Sequence, residues 1–197
     1  MKKIVLASKN LDKVKEIRLV LKSLPIEIFS LADFENFPDA VEDGATFEEN
    51  ALIKANFFRE KTGLACLADD SGLEVDALGG KPGVHSARFA GYHADDKTNN
   101  QKLLDELKKI GVEESAAAYR CALAFVDTDG TKFLTEGKIC GKIKIVARGT
   151  GGFGYDPYFY LDDGRTMAQL SVDEKNLISH RGAALKEMIL KLRGKFS

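Results

Sequence analysis

Apolar positions along the chain switch between two periods, and the switches mark its elements. The opening KIVLAS is a short apolar run that stops at Ser8, Lys9 and Asn10. From Leu11 to Leu24 the apolar positions 14, 17, 20, 21 and 24 follow a helical repeat, which Pro25 ends. IEIF then alternates as a strand with β-branched residues. Thr46-Phe47-Glu48-Glu49 has the T-x-x-E form of a capping box, so a helix starts there, with Phe47, Ala51, Ala55 and Phe58 as its buried stripe and Asn50 and Lys54 on another face. Gly63 closes it, and LACLAD reads as a strand running into Asp69-Asp70-Ser71-Gly72.

A Gly/Pro loop at 79–83 separates this part from a helix near 96–110 that turns Leu103, Leu104, Leu107 and Ile110 inward. Residues 116–146 read as a long antiparallel pair around Asp129-Gly130, a strong hairpin signal. Ser171-x-x-Glu174 is a second capping box, and Leu185, Met188, Ile189 and Leu192 mark a closing helix. No repeat, low-complexity tract or linker interrupts the series, so the pattern predicts one α/β unit, residues 1–197, with parallel and antiparallel parts.

Composition narrows what such a unit can do. With 197 residues, 44% hydrophobic, the chain can bury a sizeable core as one domain or two interlocked lobes. Its 29 Lys and Arg against 30 Asp and Glu argue against coating a nucleic acid or an anionic membrane, so an anionic ligand must find a local cluster. No apolar run approaches the length of a membrane span and the N-terminus turns polar too soon for a signal peptide, which predicts a cytoplasmic protein. Cys66, Cys121 and Cys140 are odd in number, far apart and set in apolar sequence, which fits neither a disulfide framework nor a zinc site and predicts three buried small hydrophobes.

Four segments carry candidate chemistry. Ser8-Lys9-Asn10-Leu11-Asp12-Lys13 lies between a strand end and a helix start, where free amides and the helix dipole favour an anion, and Ser8, Asn10 and Lys13 add donors. It is not a P-loop, since GxxxxGK[ST] is absent, and Asn10 could equally serve only as a cap. The second is acidic. Residues 33–49 hold seven acids and no base, and Glu42, with Asp69 and Asp70, offers the hard oxygens that suit magnesium beside substrate phosphates. In a continuing strand Asp69 and Asp70 face opposite ways, so one of them serves a given site; a solvated acidic loop is the plainer reading for Glu42 alone, and a plain turn is less so for Asp69-Asp70, which follow an apolar strand.

The third, Gly149-Thr150-Gly151-Gly152-Phe153-Gly154-Tyr155-Asp156, formally contains GxGxxG. The dinucleotide-binding reading fails because Asp-Pro-Tyr-Phe-Tyr, a turn into an aromatic strand, follows where a helix is required. A glycine loop with two aromatics suits a flat ring, and Asp156 could accept from a ring N–H; a structural turn is the alternative. The fourth is Glu174 to Gly182, in which Lys175 and Ser179 lie one turn apart and His180 and Arg181 fall at a break, offering donors to a carbonyl or phosphate.

Taken together, SxNxxK, LADDSGLEVDALGGKPGVHSAR, GTGGFGYDPYF and EKNLISHRGAAL resemble the inosine triphosphate pyrophosphatase family, in order and over nearly the whole chain. The resemblance implies two lobes on a long curved mixed β-sheet with flanking helices, a nucleotide cleft between the lobes, magnesium and a homodimer. It implies hydrolysis of ITP, dITP and XTP to the monophosphate and pyrophosphate, which cleanses the nucleotide pool. By motif position the triphosphate would meet Ser8, Lys9, Asn10, Leu11, Asp12, Lys13, Ser71 and Lys175. Glu42 and Asp70 would serve the metal, with Asp70 activating water, and the base would meet Phe153, Gly154, Tyr155, Asp156, His180 and Arg181.

Such a reaction needs little covalent help, only neutralised oxygens, a cradled leaving group and an oriented water. Selectivity would rest on hydrogen-bond sign, since hypoxanthine and xanthine show a carbonyl at C6 and N–H at N1 where adenine shows an amine and a bare acceptor. Two other classes fit parts of the sequence. A non-catalytic nucleotide sensor would use the same donors without the acids, and a single-strand nucleic-acid binder would use the aromatics with the basic stretch Lys138 to Arg148.

Overall fold

The computed structural model describes residues 1–34 and 37–196. Six strands form one mixed, curled sheet in the order β2-β1-β3-β4-β5-β6: β1 Lys2–Leu6, β2 Ile26–Ser30, β3 Ala65–Val75, β4 Glu114–Val126, β5 Lys132–Lys144 and β6 Phe159–Tyr160. β1 runs parallel to β2 (Ile4 opposite Ile28) and to β3 (Ile4 opposite Ala65), whereas β5 and β6 are antiparallel. The helices are α1 Leu11–Leu21, α2 Phe47–Thr62, α3 Asp96–Lys109, α4 Val172–Ile178 and α5 His180–Phe196.

The chain divides into two compact units, neither of them a continuous stretch. One comprises Met1–Asp70, Cys121–Gly137 and Arg181–Ser197, the other Ser71–Arg120 and Lys138–His180. In the first, β1 is buried on both faces, as a near-continuous apolar run in a parallel sheet requires. Ile4 and Leu6 pack with Val14, Ile17 and Leu21 of α1, Leu67, Leu123 and Phe125 of the strands, and Leu185, Met188 and Leu192 of α5. In the second, Leu103 and Leu107 of α3 pack with Leu73, Val75, Tyr119, Ile143, Phe159 and Met167.

The predicted caps form as written. Thr46 Oγ1 accepts from Glu49 N at 3.2 Å and the Glu49 carboxylate accepts from Thr46 N at 3.3 Å, while Gly63 ends α2 with φ +68°, a conformation open to glycine. Ser171 and Glu174 repeat the box at α4. The strand after LACLA does not stop at the acids but continues to Val75, so Asp69 and Asp70 alternate faces.

Two expectations of burial require correction. Ile110 is 50% exposed, because α3 ends at Lys109 and Gly111 turns the chain at φ +69° before the helical repeat can bring Ile110 round. Cys66 and Cys121 are buried, but Cys140 is exposed, since strand alternation on β5 sets it on the face of Lys138 and Lys142. Of the acidic run at 33–49, Glu35 lies outside the described residues.

Candidate active site

The first unit gathers a charged group at the C-terminal end of β1 and in the middle of β3. Asp69 is buried, its carboxylate 3.1 Å from the Lys13 ammonium and 3.1 Å from the Arg181 guanidinium, which also binds Glu16 of α1. Burial by itself would push the Asp69 carboxyl up, but Lys13, then Arg181 and Lys54, outweigh it and hold the group well below the ordinary carboxylate range. Asp70, on the other face, is also buried, and its Oδ2 has no hydrogen-bond partner. Burial pushes its pKa up to about 6; Lys54 and Lys13 pull against that, and Glu42 and Asp69 add to it.

Lys54 joins these acids. Its ammonium lies 3.0 Å from Glu42 and donates to the Asp69 carbonyl at 3.1 Å. Burial lowers its pKa, yet Glu42, Asp70 and Asp69 more than compensate and keep it charged. The loop bearing Glu42 is tied down two residues later, where Gly44 N donates to the buried Asn50 Oδ1 at 2.9 Å; a Cβ at Gly44 would meet that same oxygen at 2.8 Å.

The Ser8 to Lys13 segment offers fewer free donors than its sequence suggested. Asn10 caps α1, accepting from Asp12 N at 2.9 Å and Lys13 N at 3.2 Å, so two amides of the helix start are already committed. Ser8 Oγ accepts from Asn10 N, Lys9 pairs with Asp39 at 2.7 Å, Asp12 pairs with Lys15, and Leu11 is 62% exposed. Only Lys13 of this segment reaches the buried carboxylates described above.

The second unit builds an aromatic group around Asp156. This carboxylate is buried and accepts from Phe153 N at 3.0 Å, Tyr119 Oη at 3.2 Å and the Lys175 ammonium at 2.7 Å. Asp156, expected to accept from a ring N–H, therefore anchors its own loop. Lys175, expected beside the triphosphate, is buried against Asp156 and lies 4.3 Å above the Phe153 ring, a cation–π contact. Tyr119 stacks on His180 at 4.9 Å and on Phe159 at 4.5 Å, and burial followed by the Asp156 charge raises its phenol well above the ordinary value. Tyr155 Oη donates to Ser86 O at 2.7 Å. Ser71, next after Asp70 on β3, is half-buried.

Arg181, expected as a base donor, meets two acids of the first unit. It is completely buried, and its guanidinium is used on Glu16 and Asp69, as a charge in the interior must be. The basic stretch from Lys138 does not form a bare cationic face either, since Lys142 and Lys144 both pair with Glu114.

The model of the Ham1 family matches residues 4–191. The chain belongs to the Ham1 family. A dITP/XTP pyrophosphatase of Geobacter sulfurreducens is 51% identical over 186 residues, 94% of each chain, and one of Clostridium perfringens is 46% identical over 98% of each. Among solved structures, a HAM1 protein from Coxiella burnetii has a TM-score of 0.88 at 41% identity, covering 98% of this chain and all of its own. A nucleoside-triphosphatase, or dITP/XTP pyrophosphatase, from Mycobacterium abscessus has a TM-score of 0.71 at 43% identity, covering 99% and 98%.

Glu16, Lys54 and Tyr119 belong to these groups although the sequence of this Ham1 chain predicts no site role for them. Lys54 left a trace, because Asn50 and Lys54 are polar residues one turn apart on a helix whose stripe faces elsewhere. Glu16 left none: in an exposed-looking helix its charge is unremarkable until Arg181 is brought to it.

Proposed function

We propose that this Ham1 protein hydrolyses deaminated purine nucleoside triphosphates (ITP, dITP and XTP) to the nucleoside monophosphate and pyrophosphate. The observation that carries the reading is Asp70: a buried carboxylate, raised to about 6, with an oxygen that no protein group occupies, beside Lys54 and Glu42. In a chain whose relatives are named dITP/XTP pyrophosphatase, that is the group to take a proton from water. A base with pKa near the working pH is mostly ionised yet still a competent acceptor. Water adds to the α-phosphorus, its proton passes to Asp70, and the bond to the bridging oxygen breaks to release pyrophosphate. Lys13 and Lys54 oppose the negative charge, and the aromatic group around Phe153 holds the purine.

The donor set fits magnesium. Glu42 and Asp70 supply hard oxygens, and the uncommitted Asp70 Oδ2 is an orphan that a cation would satisfy. Among the described residues no group of three His, Cys, Asp or Glu could hold an ion by itself, so substrate phosphate and water would have to complete the shell of an ion held by Glu42 and Asp70. When bound, magnesium would neutralise phosphate oxygens. The same reading makes the protein a cytoplasmic homodimer; among the described residues no helix is long and apolar enough to cross a membrane.

Incubating pure protein with ITP and magnesium and assaying both phosphate products tests the proposal. Pyrophosphate and inosine monophosphate are expected, with ATP a poor substrate and chelator abolishing turnover. Orthophosphate as the product, or nucleotide binding without hydrolysis, would exclude it in favour of a different hydrolase or a sensor.

A further inference from the structure

The glycine loop of the second unit has no regular structure between Gly149 and Tyr155, yet one of its residues is held at both backbone groups. Gly154 N donates to Asp96 Oδ2 at 2.6 Å, and Gly154 O accepts from Asn100 Nδ2 at 2.9 Å. Asp96 and Asn100 are four residues apart and so share one face of α3. That helix is fixed in turn by Leu103 and Leu107 in the core and by Asn99, which accepts from Ala90 N at 2.8 Å and donates to Ala87 O at 3.1 Å. The loop is attached to a rigid post.

Two details bear on how this attachment orients the loop. Asn100 Oδ1 is buried without a hydrogen-bond partner, and turning the amide over to satisfy it would set two oxygens against each other at Gly154. Gly154 has φ +63°, so the direction of the chain between Phe153 and Tyr155 depends on that one residue. Its N–H and C=O are both engaged by α3, and the Phe153 ring, under Lys175, is the flat surface this segment offers to a flat ring.

We propose that Asp96 and Asn100 are positioning residues for purine binding, holding Gly154 so that Phe153 is presented in one orientation. The inference rests on the nucleotide-hydrolase reading above. Neither residue is buried in the core, and alanine variants should fold with melting temperatures near that of the wild type. Asn100→Ala removes one neutral hydrogen bond and should raise KM for ITP about fivefold; Asp96→Ala removes a charge-assisted one and should raise it about tenfold or more. In both, kcat should stay within about threefold.

Inhibition by inorganic tripolyphosphate, which has no base, separates positioning from general damage: its Ki should be unchanged in both variants. Asp96→Asn, which keeps an acceptor for Gly154 N–H, should recover most of the loss. Amide hydrogen exchange in residues 150–156 should quicken in both alanine variants. Unchanged KM and exchange in a wild type that turns over ITP would overturn the proposal alone, as would a Ki that rises in step with KM or an Asp96→Asn variant no better than alanine. A wild type that releases no pyrophosphate would overturn the hydrolase reading and this inference with it.

Discussion

Asp69 and Asp70 are neighbours with the same side chain, and the same isosteric change should move stability in opposite directions. Asp70 is raised from 3.8 to about 6 in the folded protein, chiefly by burial. Between those values the folded state keeps a proton that the unfolded chain has lost, so stability falls as pH rises through this window and stays lower above it. At about 1.36 kcal/mol per pH unit, that window is worth roughly 3 kcal/mol. Asp70→Asn escapes that decline, and relative to the wild type it should gain up to about 3 kcal/mol between pH 4 and pH 7. Asp69 is lowered, so its stabilisation is present above pH 3.8 and lost only as pH falls toward its folded value. Asp69→Asn leaves Arg181 and Lys13 short of a buried counter-charge and should cost about 3–5 kcal/mol at pH 7. Urea unfolding in chelator at several pH values between 4 and 7.5 measures both. Asp70→Asn should also lose about 10²-fold or more in turnover while gaining stability. A flat difference between Asp70→Asn and wild type across that range, or losses of the same sign in both variants, would refute the reasoning.

Gly152→Ala should disturb the aromatic group around Asp156 by contact as well as by backbone strain. Gly152 has φ +70° and an added Cβ would run into Asp156 Oδ2, whereas Gly164, at φ +83°, has nothing within 4 Å. Thermal unfolding should show a loss of about 1–2 kcal/mol for Gly164→Ala from strain alone and a larger one for Gly152→Ala, with a raised KM for ITP only in the latter. Of the three thiols, Cys140 is exposed, while burial pushes Cys66 and Cys121 up to about 12. Titration with a thiol reagent at pH 8 should therefore count one group in the native protein and three in denaturant; a second fast native thiol would contradict the packing of β3 or β4.

The elements of this protein are legible in its sequence because they are set over a few residues. The helical repeat from Leu11, the two capping boxes, Gly63 as a stop and the hairpin at Asp129-Gly130 each depend on spacing, and each reappears with its boundaries moved by a few residues at most. The exposure of Cys140 is legible too, because its alternation with Lys138 and Lys142 along β5 outweighs its apolar neighbours. The four motifs also contain most residues of both the charged and the aromatic groups, among them Lys13, Asp69, Asp70, Asp156, Lys175 and Arg181. What the sequence left undecided is which charge meets which. Arg181 and Glu16 are 165 residues apart, and Arg181 and Asp69 are 112 apart. Local spacing says which face of an element a side chain takes; only the packing of α1, β3 and α5 together decides that Arg181 is buried between two acids and that Asp69 is paired while Asp70 keeps an unsatisfied oxygen. Desolvation turns that arrangement into chemistry, because a charge out of water must be neutralised by a partner or shift its proton affinity, and the partners are supplied by tertiary contacts.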